Sequence, residues 1–288
     1  MALIDIGVNL MNPAFDRDRE AVVAAAAAAG VAPLVITGSD AESSVRAAGY
    51  AAARPGKLYA TSGVHPHNAR FWDPAVRERL RGLAARPGAA AGSTVGAGST
   101  IVAGSSIVAG SSIVAVGECG LDYNRDYSPR HKQRECFEAQ IDLAAELGKP
   151  LFLHERDAFG DFSAILKRRR RDILRAVVHC FSGGERELET WLELDCYIGL
   201  TGWICDERRG GHLIPLVGKI PPDRLLLETD APYLMPRNLP GHKRNGRNEP
   251  RHLVHIAAFI AGVLGKDPAA LGAETSANSR RFFGIVSA

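Results

Sequence analysis

Four side chains able to hold a metal or move a proton close four apolar runs of this chain: Glu118, His154, His179 and Asp230. A carboxylate at the end of a buried run is costly unless something cationic meets it. Two carboxylates and two neutral imidazoles that converge make a site for a hard-to-borderline divalent cation. Glu118 would bind or bridge the ion, and each histidine would offer one ring nitrogen. Asp230 is placed to bind an ion, to accept a proton from water, or both. The structural alternative for Asp230 is a helix N-cap ahead of Ala231 and Pro232.

The elements that must bring these residues together are eight short, mostly continuous apolar runs, at 3–9, 34–38, 58–65, 113–118, 151–154, 176–180, 197–202 and 225–230. Runs without polar alternation read as strands buried on both faces. Helical stretches with charged faces lie between most of them, including 16–29, 74–85, 129–147, 159–171, 185–194 and 211–217. Ser128 followed by Pro129 reads as a cap and a first helical position. Eight strands alternating with helices predict an α/β fold of the (β/α)8 TIM-barrel type, one domain over residues 1–288. In a barrel the C-terminal strand ends ring one mouth, and Asn9, His65, Glu118, His154, Arg156, His179, Thr201 and Asp230 all fall there. His65 and His67 flank Pro66. One of them is expected to face the mouth and hydrogen-bond a phosphate or leaving group, with a loop-surface position the alternative for His67. Arg156 is positioned to clamp a phosphate, or else to pair with Asp157 or another carboxylate.

A net charge of +3 is too small to imply nucleic-acid binding by itself, so the placement of charge has to decide. The Lys-Arg-Arg-Arg-Arg run at 167–171 ends a predicted helix on the far side of a barrel and reads as a solvated, dipole-complementing terminus. The Arg- and Asn-rich stretch 237–251 follows the last strand at the mouth. Arg247, Asn248 and Glu249 within it are candidate substrate contacts, and Tyr233 or Trp203 could supply a stacking platform. Cys119 and Cys180 each follow a ligand candidate and are expected to face away as packing residues. Five scattered cysteines without a C-x-x-C pair point to a reducing compartment. Without a basic n-region or a long apolar run, the chain reads as cytoplasmic, with no membrane partner.

Residues 91–114 are four tandem hexads, AGSTVG, AGSTIV, AGSSIV and AGSSIV. They read as a low-complexity expansion of the loop before the fourth strand, exposed and dispensable for folding and activity.

The motifs, in order, are Asp5-Ile-Gly-Val-Asn-Leu10, Ile36-Thr-Gly38, Gly63-Val-His-Pro-His67, Gly117-Glu-Cys-Gly-Leu-Asp122, His154-Glu-Arg-Asp-Ala158, His179-Cys-Phe-Ser-Gly183, Glu228-Thr-Asp-Ala-Pro232, Arg247-Asn-Glu-Pro250, and Asn278 ahead of Phe282-Phe-Gly284. Taken together, this series resembles the TatD family of metal-dependent deoxyribonucleases, most closely its TatD branch. The resemblance implies a TIM-barrel hydrolase cleaving phosphodiesters as a 3′-to-5′ exonuclease on single-stranded DNA, with RNA as a further substrate. It implies Glu118, His154 and His179 as metal ligands and Asp230 as a further ligand or the base. Much of the wider family has a His-x-His at the end of the first strand; here Gly7-Val8-Asn9 stands there, and an Asn amide is a weaker ligand. One firm metal site and one loose site are therefore expected. Mg²⁺ or Mn²⁺ suits the oxygen ligands, and two imidazoles leave room for Zn²⁺. The partners implied are single-stranded 3′ ends, met by a monomer. A metal-dependent barrel hydrolase of another ester or amide, such as misacylated tRNA or a small molecule, is the alternative. A barrel that binds nucleic acid without cleaving it comes last.

Overall fold

The computed structural model describes residues 2–85, 112–241 and 246–285. Eight strands form one parallel sheet in sequence order: β1 (Leu3–Val8), β2 (Val31–Ile36), β3 (Leu58–Ser62), β4 (Ile113–Asp122), β5 (Leu151–Arg156), β6 (Ala176–Val178), β7 (Tyr197–Leu200) and β8 (Leu225–Leu227). Strand β8 comes back to β1. There the Asp230 amide donates to Gly7 O (2.9 Å) and the Asn9 amide to Ala231 O (2.8 Å). The expected barrel is thus present, its last seam made by the residues just past the strands. Helices α1 (Arg19–Ala28), α2 (Ala41–Ala52), α3 (Pro74–Ala85), α4 (Arg130–Leu147), α5 (Phe159–Arg169), α6 (Glu185–Glu193), α7 (Ile214–Val217) and α8 (Leu253–Leu264) follow the successive strands, and α9 (Pro268–Phe283) ends the described chain.

Strand alternation divides the apolar residues into two layers. Ile4, Ile6, Phe152, Val177 and Leu226 form one cluster with Phe282, Phe283 and Ile285 from the end of α9. Their sequence neighbours Leu151, Leu153, Ala176, Val178, Leu225 and Leu227 pack instead with the helices. The first set is the barrel interior, and the two phenylalanines at the end of α9 pack into it. Because side chains alternate along a strand, positions two residues beyond an interior one also point inward. That rule sends His154 (after Phe152), His179 (after Val177) and Glu228 (after Leu226) to the interior at the C-terminal end.

Strand β4 runs four residues past the expected end at Glu118. Gly117 and Gly120 carry it onward at φ of 136° and 141°, values strained for any side chain. A Cβ on either would collide with a β5 carbonyl, that of Phe152 or of His154. The β4–β5 register shifts between Val116 and Cys119, and the Gly117–Glu118 peptide is cis.

The hexad expansion lies outside the described residues except at its end, where Ile113 and Val114 are buried strand residues and not exposed loop. Ile113 pairs with Ala60 of β3. Ser128 does not cap α4. Its hydroxyl donates to His67 O (2.8 Å) and accepts from the Arg70 amide (3.1 Å), tying the loop after β4 to the loop after β3. Three cations of the run at the end of α5 are paired locally, Arg168 with Glu138 (2.9 Å), Arg169 with Asp172 (2.7 Å) and Arg170 with Asp195 (3.1 Å). No single helix among the described residues is long and apolar enough to cross a membrane.

Glycines 7 and 199 make space for the buried carboxylate of Glu228. A Cβ on Gly199 would stand 2.6 Å from Glu228 Oε1, and one on Gly7 would collide with Oε2. Gly199→Ala should therefore destabilise the fold by about 1–3 kcal/mol, the usual cost of overpacking. Denaturant unfolding measures it, and an unchanged midpoint would contradict the cradle.

Candidate metal centre and its cavity

At the C-terminal ends of the strands lies a cavity of about 740 Å³, lined among others by Asn9, His65, His67, Glu118, Asp122, His154, His179 and Asp230. Its centre is one atom, Glu118 Oε1. Three imidazole nitrogens approach it: His179 Nε2 at 2.8 Å, His154 Nδ1 at 3.0 Å and His65 Nε2 at 3.3 Å. The candidate ligand atoms of His65, Glu118 and His154 all lie within 4.8 Å of one another. Glu118 is 6% exposed, and burial by itself would raise its pKa. The imidazoles of His65 and His179 overcome that and hold the carboxyl well below its usual range. Burial pushes the His65 pKa down to about 4, against the pull of Glu118. Its Nδ1 accepts the His67 amide (3.1 Å), which leaves Nε2 aimed at Glu118.

Two carboxylates not singled out in the sequence complete the centre. Glu228 is fully buried. Its Oε2 lies 3.3 Å from His179 Nδ1, and its Oε1 accepts the Cys180 amide at 2.5 Å. This carboxylate fixes the His179 ring with Nε2 toward Glu118, the arrangement by which an outer carboxylate orients a metal-binding imidazole. Asp122 is 1% exposed, with Oδ2 2.8 Å from His67 Nε2 and 3.5 Å from His154 Nε2. Its Oδ1 accepts the amides of Asn124 (3.0 Å) and Arg125 (2.8 Å). Burial opposes its ionisation, but the two imidazoles and the Arg125 amide hold it well below the usual carboxylate range. The signal for Glu228 was in the sequence: it stands two residues after interior Leu226 and two before Asp230. Asp122 was hidden because Gly120 reads as the end of a strand.

Asp230 is half-buried, at φ 53°, and its Oδ1 accepts from Asn9 Nδ2 at 2.8 Å. Burial raises its pKa to about 7, with the charges of Glu118 and Glu228 adding to the effect. Asn9 thus binds Asp230 and lines the cavity. Asp5, fully buried beneath, accepts the Thr229 amide (3.0 Å) and hydroxyl (2.6 Å), and burial raises its pKa to about 8.

Could these residues hold a cation? His154 Nε2 is buried without a hydrogen-bond partner. Three ring nitrogens share one carboxylate oxygen, an arrangement that a divalent ion drawing on the nitrogens and the oxygen together would relieve. The donor set of imidazoles and carboxylates fits such an ion. His65, expected to bind phosphate, stands with Glu118 and His154 in this cluster.

The mouth departs from expectation in two places. Arg156 is exposed on the cavity wall, two residues beyond His154 as expected. Arg247, Asn248 and Glu249 do not line the cavity. Arg247 pairs with Asp18 (2.7 and 2.8 Å) and Glu249 (2.9 Å), and Glu249 also takes Arg251 (2.9 Å). Asn248 is fully buried, its Nδ2 donating to Thr229 O at 2.9 Å. These three residues brace the chain after β8 against α1, with the carboxylates of Asp18 and Glu249 pairing Arg247 and that of Glu249 pairing Arg251. Cys180, expected to face away, lines the cavity, since β6 stops at Val178 and Cys180 turns to φ 49°. Cys119 is buried as expected. Trp203 and Tyr233 both line the cavity, Tyr233 53% exposed.

Glu228→Gln sets an amide N–H against either the His179 ring or the Cys180 N–H. Its expected effect is a 10- to 100-fold loss of divalent-metal affinity, read by calorimetric titration. Unaltered affinity would remove Glu228 from the centre.

Comparison with known proteins bears on this geometry. The family model described as TatD related DNase matches residues 4–284. A 3′-5′ ssDNA/RNA exonuclease TatD of Erwinia billingiae is 44% identical over 281 residues, covering 98% of each chain. A protein of the same name from Klebsiella pneumoniae is 44% identical over 283 residues, again covering 98% of each. Among solved structures, the TatD homologue YJJV of Escherichia coli is similar with a TM-score of 0.83 and 27% identity, covering 99% of this chain and 98% of that one. A TatD-family hydrolase of Entamoeba histolytica shares the fold, with a TM-score of 0.78 at 22% identity over 99% of both chains.

Proposed function

The chain belongs to the TatD related DNase family, and from that premise we infer that it is a metal-dependent nuclease removing nucleotides from the 3′ ends of single-stranded DNA and RNA. The observation that carries the reading is the convergence of His65, His154 and His179 on Glu118 Oε1, with Asp230 in the same cavity. Glu118, His154 and His179 would hold the ion, with Asp230 and His65 beside them. A bound divalent cation would supply Lewis acidity toward water and the phosphoryl group. Mg²⁺ is our reading of the ion, Mn²⁺ and Zn²⁺ being compatible with the same nitrogen and oxygen donors.

The chain's own groups divide the remaining work. Asp230, a carboxylate on the cavity wall, is placed to accept a proton from water. Asn9 fixes one carboxylate oxygen of Asp230 at 2.8 Å, so that the other is the acceptor. Glu228 holds His179, and Asp122 holds His67, so that neither ring has to reorganise when substrate arrives. Arg125 and Arg156 line the cavity wall and supply positive charge for the phosphates on either side of the scissile one. We read the protein as a single-domain, cytoplasmic monomer; the five cysteines, all free, support a reducing compartment.

The test is the product ladder from 5′-labelled single-stranded DNA with Mg²⁺, Mn²⁺ or EDTA. Stepwise, metal-dependent shortening from the 3′ end is expected, and Asp230→Asn should lower kcat by roughly 100-fold or more with KM little changed. No shortening, or an Asp230→Asn enzyme of near-normal rate, would overturn the assignment.

A further inference from the structure

The two most exposed large apolar side chains among the described residues are Phe71 at 61% and Tyr127 at 54%, and Tyr127 stands against His67 of the cavity lining. Phe71 ends the 3-10 turn Pro66–Phe71, which starts directly after His65. Tyr127 lies between β4 and α4. Arg70 joins them: its Nη1 donates to Tyr127 O at 3.1 Å, and its guanidinium carbon stands 4.9 Å from the Phe71 ring centre. Inward, the Tyr127 ring centre is 4.6 Å from that of His67, and His67 holds Asp122 on the cavity wall. The pair is therefore continuous with the metal centre through Tyr127, His67, Asp122 and His154.

Aromatic rings this exposed contribute little to the core. Their neighbours Arg70 and Arg125 are exposed cations, Arg125 on the cavity wall itself. Of the exposed acids in these two loops, Asp126 is engaged by Arg130 at 2.8 Å and Asp73, two residues after Phe71, accepts the Val76 amide at 2.8 Å. Open rings beside unneutralised cations at the lip of a phosphate-cleaving cavity match the way single strands are held, by sequence-tolerant base stacking and backbone charge. The charge favours a polyanion over a neutral or acidic protein surface.

We propose that Phe71 and Tyr127 form a stacking platform for bases on the 5′ side of the nucleotide being removed, with Arg70 and Arg125 holding the phosphates between them. This deepens the nuclease reading and rests on it. The 3′ terminus enters the cavity past His67, and the strand leaves over Tyr127 and then Phe71. The platform favours substrates long enough to reach it over single diesters, and it is indifferent to base identity.

The experiment measures binding of a fluorescent dodecathymidylate with non-cleavable 3′ phosphorothioate linkages, by anisotropy in Mg²⁺ at several salt concentrations. Phe71→Ala and Tyr127→Ala should each raise Kd roughly fivefold to 100-fold and leave the salt dependence unaltered, whereas Arg70→Ala should reduce the slope of log Kd against log salt by about 0.7. Among the described residues no ring contact joins Phe71 to His67, whose ring contacts are to His65, Tyr127 and His154, so the Phe71 variant leaves those contacts in place. In turnover, both aromatic variants should lower the ratio of kcat/KM for the oligonucleotide to kcat/KM for bis(4-nitrophenyl) phosphate. Unchanged Kd values and an unchanged ratio would overturn the platform. A wild-type enzyme that fails to shorten DNA would refute the nuclease reading instead, and the anisotropy series would still decide for or against the platform.

Discussion

One carboxylate oxygen, Glu118 Oε1, is shared by three imidazole nitrogens within 3.3 Å, and much of the barrel's top layer exists to make that possible. An ionised carboxylate in a buried strand is affordable only with hydrogen-bonded or cationic company. The imidazoles provide it, and two of them are fixed from behind, His65 by the amide of His67 and His179 by Glu228. Glu228 in turn has room because Gly7 and Gly199 lack side chains. The centre is thus a set of acids and bases held in place before any ion or substrate arrives.

The two ends of the barrel answer different demands. Below the centre, Phe152 packs with Phe282 and Phe283, a dry layer that supplies stability by burial. Above it the interior positions turn from apolar to ionisable within two residues on β5, β6 and β8. Phe152 lies 4.6 Å, centre to centre, from the His179 ring, so the apolar layer directly supports a ligand candidate. Such a boundary concentrates strained and titratable groups at the strand ends; Asp230 and Cys180 both take positive φ there.

The barrel was legible because strands buried on both faces read as plain apolar runs, and seven of the eight expected runs overlap closely with observed strands. The fourth ended too early, since Gly117 and Gly120 look like stops until the β5 carbonyls that crowd them are known. Glu118, His154 and His179 were legible as the first ionisable residues after those runs. Glu228 was not, because a buried carboxylate beside Asp230 reads as one more acid until strand alternation is followed through. The stretch around Arg247 shows the limit of composition. Its basic and amide residues suggested a substrate surface, but partners such as Asp18, 229 positions away in the chain, turn it into a brace. Exposed aromatics such as Phe71 carried no sequence signal, because exposure is a property of the folded neighbourhood.

The central claim is that the Glu118 cluster is a cation site. An anomalous difference map from crystals soaked in Mn²⁺ tests it most directly. The account predicts a peak among Glu118 and the imidazoles of His154 and His179, lost in Glu118→Gln. Manganese bound elsewhere, with the three imidazoles still gathered on Glu118 Oε1, would contradict it.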